Sequence, residues 1–207
     1  MTTPFDASDW RGMSQEDRDL GLNNGVAVAA SADIVAGWER RSTEMRARFP
    51  GHLDLRYGPR ERNRIDFLKA AENGPTLVFI HGGYWQQRAK EVFTVFAGGP
   101  MAHGINVALF GYTLAPDASL DQIVAEILEG IDFLAEQLPD LGGDPSRIAV
   151  SGWSAGGHLT SVALYIASVP LAFVDVRISF LIFVYVALSY FLPERKLAES
   201  AHSGSQP

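Results

Sequence analysis

Two glycine-flanked clusters in this 207-residue sequence could do chemistry together: His81-Gly82-Gly83-Tyr84-Trp85 and Gly152-Trp153-Ser154-Ala155-Gly156. The chemistry they suit is acyl transfer. A serine hydroxyl is a weak nucleophile at neutral pH, and it needs a base to take its proton and donors to hold the oxyanion that forms. The spacing Gly-x-Ser-x-Gly meets the geometric half of that demand. It describes a strand-to-helix turn so tight that only small residues fit at 152 and 156, which leaves the Ser154 hydroxyl at the N-terminus of the next helix. There the Ala155 N–H points at the developing charge, helped by the helix dipole. Gly82 and Gly83 let the backbone approach a substrate closely and turn a second set of N–H groups toward it. The two clusters read as complementary halves of one site.

Each half needs a strand to carry it. Thr76-Leu77-Val78-Phe79-Ile80 precedes the first cluster and Arg147-Ile148-Ala149-Val150 the second, and Asn106 to Phe110 is another short apolar run. Continuous apolar runs of this length suit parallel strands buried on both faces. His52–Tyr57 and Arg64–Leu68, separated by a Gly-Pro turn, predict an antiparallel hairpin at a sheet edge. Ser14 and Ser119 carry helix-start signals. Helical spacing follows over Ser31–Phe49 and from Leu120 until Pro139, and a further helix is expected after Ser154 until Val169-Pro170. Ala89–His103 reads as a helix broken by Gly98-Gly99-Pro100. Alternating strands and helices predict an α/β fold, a mostly parallel sheet with helices on both faces.

Composition narrows the classes. Apolar residues make up 47% and charged residues 20%, an ordinary globular balance. A formal charge of −7 gives no footprint for nucleic acid. With no cysteine, disulfides and thiolate metal sites are excluded. The N-terminal residues have neither a basic start nor an apolar stretch, so no secretory signal is read there and a cytoplasmic location is expected. His52, His103 and His202 are scattered without metal-ligand spacing, and no phosphate-binding glycine pattern is present. No metal and no cofactor are expected. His81 reads as a brace for its loop rather than as the base, and His158 as a packing residue.

On these residues the chain resembles α/β-hydrolases of the kynurenine formamidase (arylformamidase) and carboxylesterase group, which carry His-Gly-Gly-x-Trp where other esterases carry a third glycine. Tyr112-Thr113-Leu114-Ala115-Pro116 and Asn23-Asn24 are similar to further elements of that group, and the resemblance covers roughly residues 15–168. It implies Ser154 as nucleophile, the N–H groups of Gly83, Tyr84 and Ala155 as oxyanion donors, and Tyr84 and Trp85 as walls of an acyl pocket. It implies a small-molecule ester or an N-formyl aryl amide as substrate, and says nothing of oligomeric state.

The resemblance does not extend to the acid and base, which in this fold follow the nucleophile on later loops. Past Ser154 the acids are Asp175, Glu194 and Glu199, and the histidines are His158 and His202; none stands in a strand-then-loop context. Residues 1–170 therefore read as the N-terminal portion of an α/β-hydrolase domain. Residues 171–207 read as an atypical apolar segment with a polar tail, as a truncation or frame change would leave. The uncharged part, Ile178 to Leu192, falls short of the roughly 20 residues that span a bilayer, so a membrane anchor is disfavoured and a buried sixth strand is expected. Three functions follow: a serine hydrolase, impaired because its acid and base are not identifiable; a non-catalytic fragment of the same fold; or a membrane-tethered interaction protein using 171–192.

Overall fold

The apolar runs form the strands that carry the two clusters. The structure, a computed structural model, describes residues 12–191. Its strands are β1 (Leu55–Arg56), β2 (Arg64–Leu68), β3 (Gly74–Ile80), β4 (Asn106–Phe110) and β5 (Gly143–Gly152), in the sheet order β1-β2-β4-β3-β5. β3 pairs in parallel with both β4 and β5, and Ile80 lies level with Phe110 on one side and Gly152 on the other. β1 and β2 form the expected antiparallel hairpin, with Leu55 opposite Ile65, and β2 runs antiparallel to β4. The sheet is mixed overall and parallel where the site strands end.

Side-chain alternation sends the two faces of the sheet to different helices. Ile65, Phe67, Val78, Ile80, Ala108 and Phe110 pack with residues of α5 (Leu120–Leu141) and α6 (Ala155–Ala172), including Ile123, Ile127, Leu134 and Leu159. Leu68, Phe79, Val107 and Leu109 meet Trp38 and Met45 of α3 (Ser31–Arg48) and Phe93 of a 3-10 segment, Lys90–Ala97. Each fully buried side chain of this kind contributes about 1.5–3 kcal/mol relative to exposure. The predicted caps are present. The Ser14 hydroxyl accepts from the Asp17 N–H at the start of α1 (Gln15–Leu22), and Ser119 and Gln122 form a complete capping box for α5. A short α2 (Asn24–Ala27) links α1 to α3.

The structure departs from the sequence reading in four places. α5 passes through Pro139 to Leu141 and stops at Gly142 (φ +80°), whose N–H bonds the Leu138 and Pro139 carbonyls; the left-handed glycine makes the stop, and the proline costs one bond in the last turn. α6 likewise runs through Pro170 to Ala172. The 3-10 segment 90–97 leads straight into α4 (Gly98–Ala102), so Gly98-Gly99-Pro100 begins a helix rather than breaking one. Pro100 sits in the first turn, where a missing N–H costs nothing.

The fourth departure is the largest. The stretch expected as a sixth strand is a helix, α7 (Val176–Phe191), with Asp175 accepting from the Arg177 N–H at its start at 2.8 Å. It lies against α6, where the Tyr165 and Phe183 rings sit 4.9 Å apart. An apolar run without polar interruptions has neither a period of 2 nor of 3.6, and β-branched residues favour strands only where a pleated surface receives them. Phe173 (90%), Val174 (79%) and Tyr185 (71%) remain largely exposed. No helix among the described residues is long and apolar enough to cross a membrane.

A buried ionic network locks α3 and the 3-10 segment to β2. The Lys90 ammonium contacts Asp66 at 2.8 Å and Asp54 and Glu91 at 2.6 Å, and Arg46 of α3 also pairs with Asp66. Asp66 is fully buried and accepts the Asp54 N–H as well. Partial burial pulls the Asp54 and Glu91 carboxyls upward, but Lys90 and Arg46 hold both below their ordinary values.

Candidate active site

Ser154 occupies the turn between β5 and α6 with φ +55°, a left-handed conformation uncommon for a residue with a side chain. The Trp153 N–H donates to the Ile80 carbonyl at 3.1 Å, which fastens this turn to the end of β3. Gly82 faces it at close range: an added Cβ would lie 2.5 Å from the Trp153 carbonyl oxygen and 3.0 Å from Ser154 Cβ. A Cβ at Gly156 would run into the Ile80 and His81 backbone, and one at Gly152 into Gly156. The sequence clusters are thus one steric unit, and its glycines are there because nothing larger fits.

The turn after His81 is held open by three successive residues at positive φ, Gly83 (+124°), Tyr84 (+53°) and Trp85 (+59°). The Gly83 carbonyl accepts from both the Gln86 and Gln87 N–H groups at 3.0 Å, and the Trp85 carbonyl accepts from Ala115 at 2.8 Å. Among the described residues, the N–H groups of Gly83, Tyr84 and Ala155 donate to no protein acceptor. Three spare donors beside a strained serine are an arrangement suited to an oxyanion, for which one donor is typically worth about 10²–10³ in rate.

His81 is fully buried behind this turn. Its ring stacks between Tyr112 (4.3 Å) and Phe93 (5.8 Å), and its Nδ1–H donates to the Gly82 carbonyl at 2.8 Å. Nε2 is then an unprotonated, buried atom with no hydrogen-bond partner. Tyr112 completes the brace by donating its hydroxyl to the His81 carbonyl at 2.9 Å. Burial pushes the His81 imidazole down to about 4 from its ordinary 6.5, against the opposing bond to Gly82. Between those two values the unfolded chain binds the extra proton and the folded chain refuses it, so stability falls as pH drops through that window. The expected loss is about 1.4 kcal/mol per pH unit, levelling off below the folded value. Denaturant midpoints measured from pH 7 to 4 for the parent and for His81→Asn check this. The parent should lose stability more steeply, and parallel curves would show that His81 does not titrate this way.

No base is brought to Ser154 within the described residues. Its hydroxyl makes no hydrogen bond there. His158, one turn along α6, is exposed and sets its ring edge-on to Trp85 at 5.3 Å. Asp175 caps α7. Glu194, Glu199 and His202 lie outside the described residues. The site is also open: Tyr84 (47%) and Trp153 (46%) are half-exposed. Two clefts of about 500 and 340 Å³ lie away from it, one around Arg62, Arg64 and Lys90, the other around Pro75, Ile105 and Ile148.

Two supports gave no signal in the sequence. Arg62 donates to the Tyr112 and Arg88 carbonyls and so ties together the loops after β4 and after the glycine turn. Trp38 of α3 meets Trp153 edge-on at 5.9 Å, bringing an N-terminal helix to the residue beside Ser154. A lone arginine in a turn, or a tryptophan on an amphipathic helix, reads as surface or core until the loops are in place.

The BD-FAE family profile matches residues 67–171, half of the chain. The chain belongs to the BD-FAE family. It is an α/β-hydrolase similar to kynurenine formamidases and to esterases. It is 32% identical over 111 residues to isoprenylcysteine alpha-carbonyl methylesterase of Arabidopsis thaliana (52% of this chain, 26% of the relative). It is 25% identical over 170 residues to kynurenine formamidase of Danio rerio (76% of this chain, 55% of the relative). Among solved structures it superposes on a candidate thioesterase from Silicibacter sp. tm1040 (28% identity, TM-score 0.60, 69% of this chain and 53% of that one). It also superposes on esterase B of Lactobacillus rhamnosis (25% identity, TM-score 0.52, 67% and 49%). This BD-FAE chain thus spans from about a quarter to a little over half the length of these relatives.

Proposed function

We propose that Ser154 is the nucleophile of a hydrolase acting on a small carboxylic ester or an N-formyl aryl amide, and that the chain by itself activates this serine weakly. The observation that carries the first half is the left-handed Ser154 packed against Gly82, with three spare N–H donors beside it. In the reaction the Ser154 oxygen would attack the substrate carbonyl, its proton passing to water, while the Gly83, Tyr84 and Ala155 N–H groups take up the charge on the carbonyl oxygen. Collapse of that intermediate would expel the alcohol or aryl amine, and water would then cleave the acyl-serine to the carboxylic acid and the free Ser154 hydroxyl. The methylesterase and kynurenine formamidase among the relatives suit this chemistry, and the exposed Tyr84 and Trp153 rings favour a flat apolar acyl or aryl group. The second half rests on the Ser154 hydroxyl, which has no base beside it among the described residues.

A fluorophosphonate probe tests both halves. Slow labelling confined to Ser154, and lost in Ser154→Ala, is the expected result. Rapid stoichiometric labelling would show that a base is present after all. Labelling that persists in Ser154→Ala would remove Ser154 as the nucleophile.

A further inference from the structure

The oxyanion turn is costly to hold. Residues with side chains in the left-handed region cost about 1 kcal/mol or more each, and Tyr84 and Trp85 both sit there after Gly83. Trp85 is secured from within by the Ala115 N–H. The Tyr84 side chain reaches outward instead. Its hydroxyl donates to the Leu22 carbonyl at 3.1 Å, across 62 residues of sequence.

Leu22 is the last residue of α1, where helix carbonyls have no partner within the helix. The Tyr84 phenol supplies one. The α1–α2 arm has few other ties. α1 buries none of its residues. The Asn23 side chain caps α2 through the Gly25 N–H, and the Ser31 hydroxyl bonds the Gly25 carbonyl at 2.6 Å, both within the arm and its junction with α3. α3 itself is fixed: the buried Ser42 hydroxyl donates to the Val92 carbonyl and accepts from the Val95 N–H, and Trp38 rests on Trp153. The arm therefore springs from a fixed helix and is fastened midway, at the junction of α1 and α2, to the turn that carries two of the three oxyanion donors. It leaves Leu20 (58%), Leu22 (73%), Val26 (58%) and Val28 (49%) exposed around that fastening.

We propose that Tyr84 is a positioning residue whose phenol latches the α1–α2 arm onto the oxyanion turn, and that the latched arm gives the Ser154 site a preference for long apolar acyl or alkyl groups. The proposal rests on the reading of Ser154 as nucleophile. The ring and backbone N–H of Tyr84 stay in place in Tyr84→Phe, so this variant removes the latch alone.

The test compares the parent with Tyr84→Phe in two measurements on the full chain. Hydrogen exchange of the amides at 15–28 is expected to quicken about fivefold, the equivalent of losing one hydrogen bond of about 1 kcal/mol, with the global denaturation midpoint unmoved. Because Tyr84 also carries an oxyanion N–H, the readout is a ratio: Ser154 labelling by an octyl fluorophosphonate relative to labelling by the ethyl analogue should fall about fivefold, the same hydrogen-bond equivalent. A purely structural role for Tyr84 would lower both labelling rates together, and that result overturns the proposed selectivity. Unchanged exchange at 15–28 overturns the latch. If no phosphonate labels the parent, the nucleophile reading fails and the selectivity falls with it, while the exchange measurement still decides the latch.

Discussion

Hydrolysis of p-nitrophenyl acetate and N-formylkynurenine by the purified monomer is expected to run about 10⁴-fold below that of a serine hydrolase with its acid and base in place, and to change little further in Ser154→Ala, which keeps the same N–H donors. The magnitude comes from what a triad supplies. Removing any member leaves only the contribution of the oxyanion donors and of binding, roughly 10³–10⁴ over water. On the function proposed above, that remainder is the unengaged N–H groups of Gly83, Tyr84 and Ala155. Among the described residues no proton acceptor stands beside Ser154, since His81 is walled in behind the turn and His158 faces Trp85. Parallel assays of the parent and Ser154→Ala decide the matter. Robust turnover that depends on Ser154 would mean that a base reaches the serine, and the weak-activation reading would be abandoned.

The largest stability effect is expected at Lys90. Its ammonium is almost wholly buried among Asp66, Asp54 and Glu91, and Lys90→Met would leave the Asp66 charge in the interior with Arg46 as its one remaining cation. Breaking a buried pair from one side typically costs about 3–5 kcal/mol, a large fraction of the 5–15 kcal/mol that holds a domain together. For a chain of this size that is a fall in Tm of about 2–4 °C per kcal/mol. Adding Asp66→Asn to Lys90→Met should recover part of the loss, because the amide removes the half-compensated buried charge and still accepts the Asp54 N–H, while Arg46 keeps the Asp54 carboxylate. Thermal unfolding of the two variants checks the prediction; a loss below about 1 kcal/mol in Lys90→Met would show that the network contributes little.

Much of the fold was legible because the signals were local. Thr76–Ile80 and Asn106–Phe110 are apolar runs bounded by turn residues, and Ser119 with Gln122 is a capping box that needs no tertiary information. The Ser154 turn was legible for a steric reason: three glycines in and beside it can be nothing else once β3 and β5 are neighbours. The α7 segment failed because its composition carries no period, and the sheet edge that would have made it a strand was not the surface it met. Pro139 misled because a proline in a last turn gives up a single bond, and Gly142 three residues on was the true stop. Arg62 and Leu22 act through contacts with distant loops, which leave no trace in nearby sequence.

The brace that Tyr112 makes on His81 has a consequence for the order of events in folding. The glycine turn is held by a ring and a hydroxyl 31 residues downstream, and β5 reaches β3 across 73 residues, where the Ser151 hydroxyl meets the Val78 carbonyl. Chain closure over the longer span costs only about 0.8 kcal/mol more than over the shorter, so neither contact has a decisive head start. The turn cannot take its shape until β4 is laid beside β3, and the serine cannot meet it until β5 is added. A nascent chain therefore gains the glycine turn and the serine turn as one unit only after β5 has joined β3.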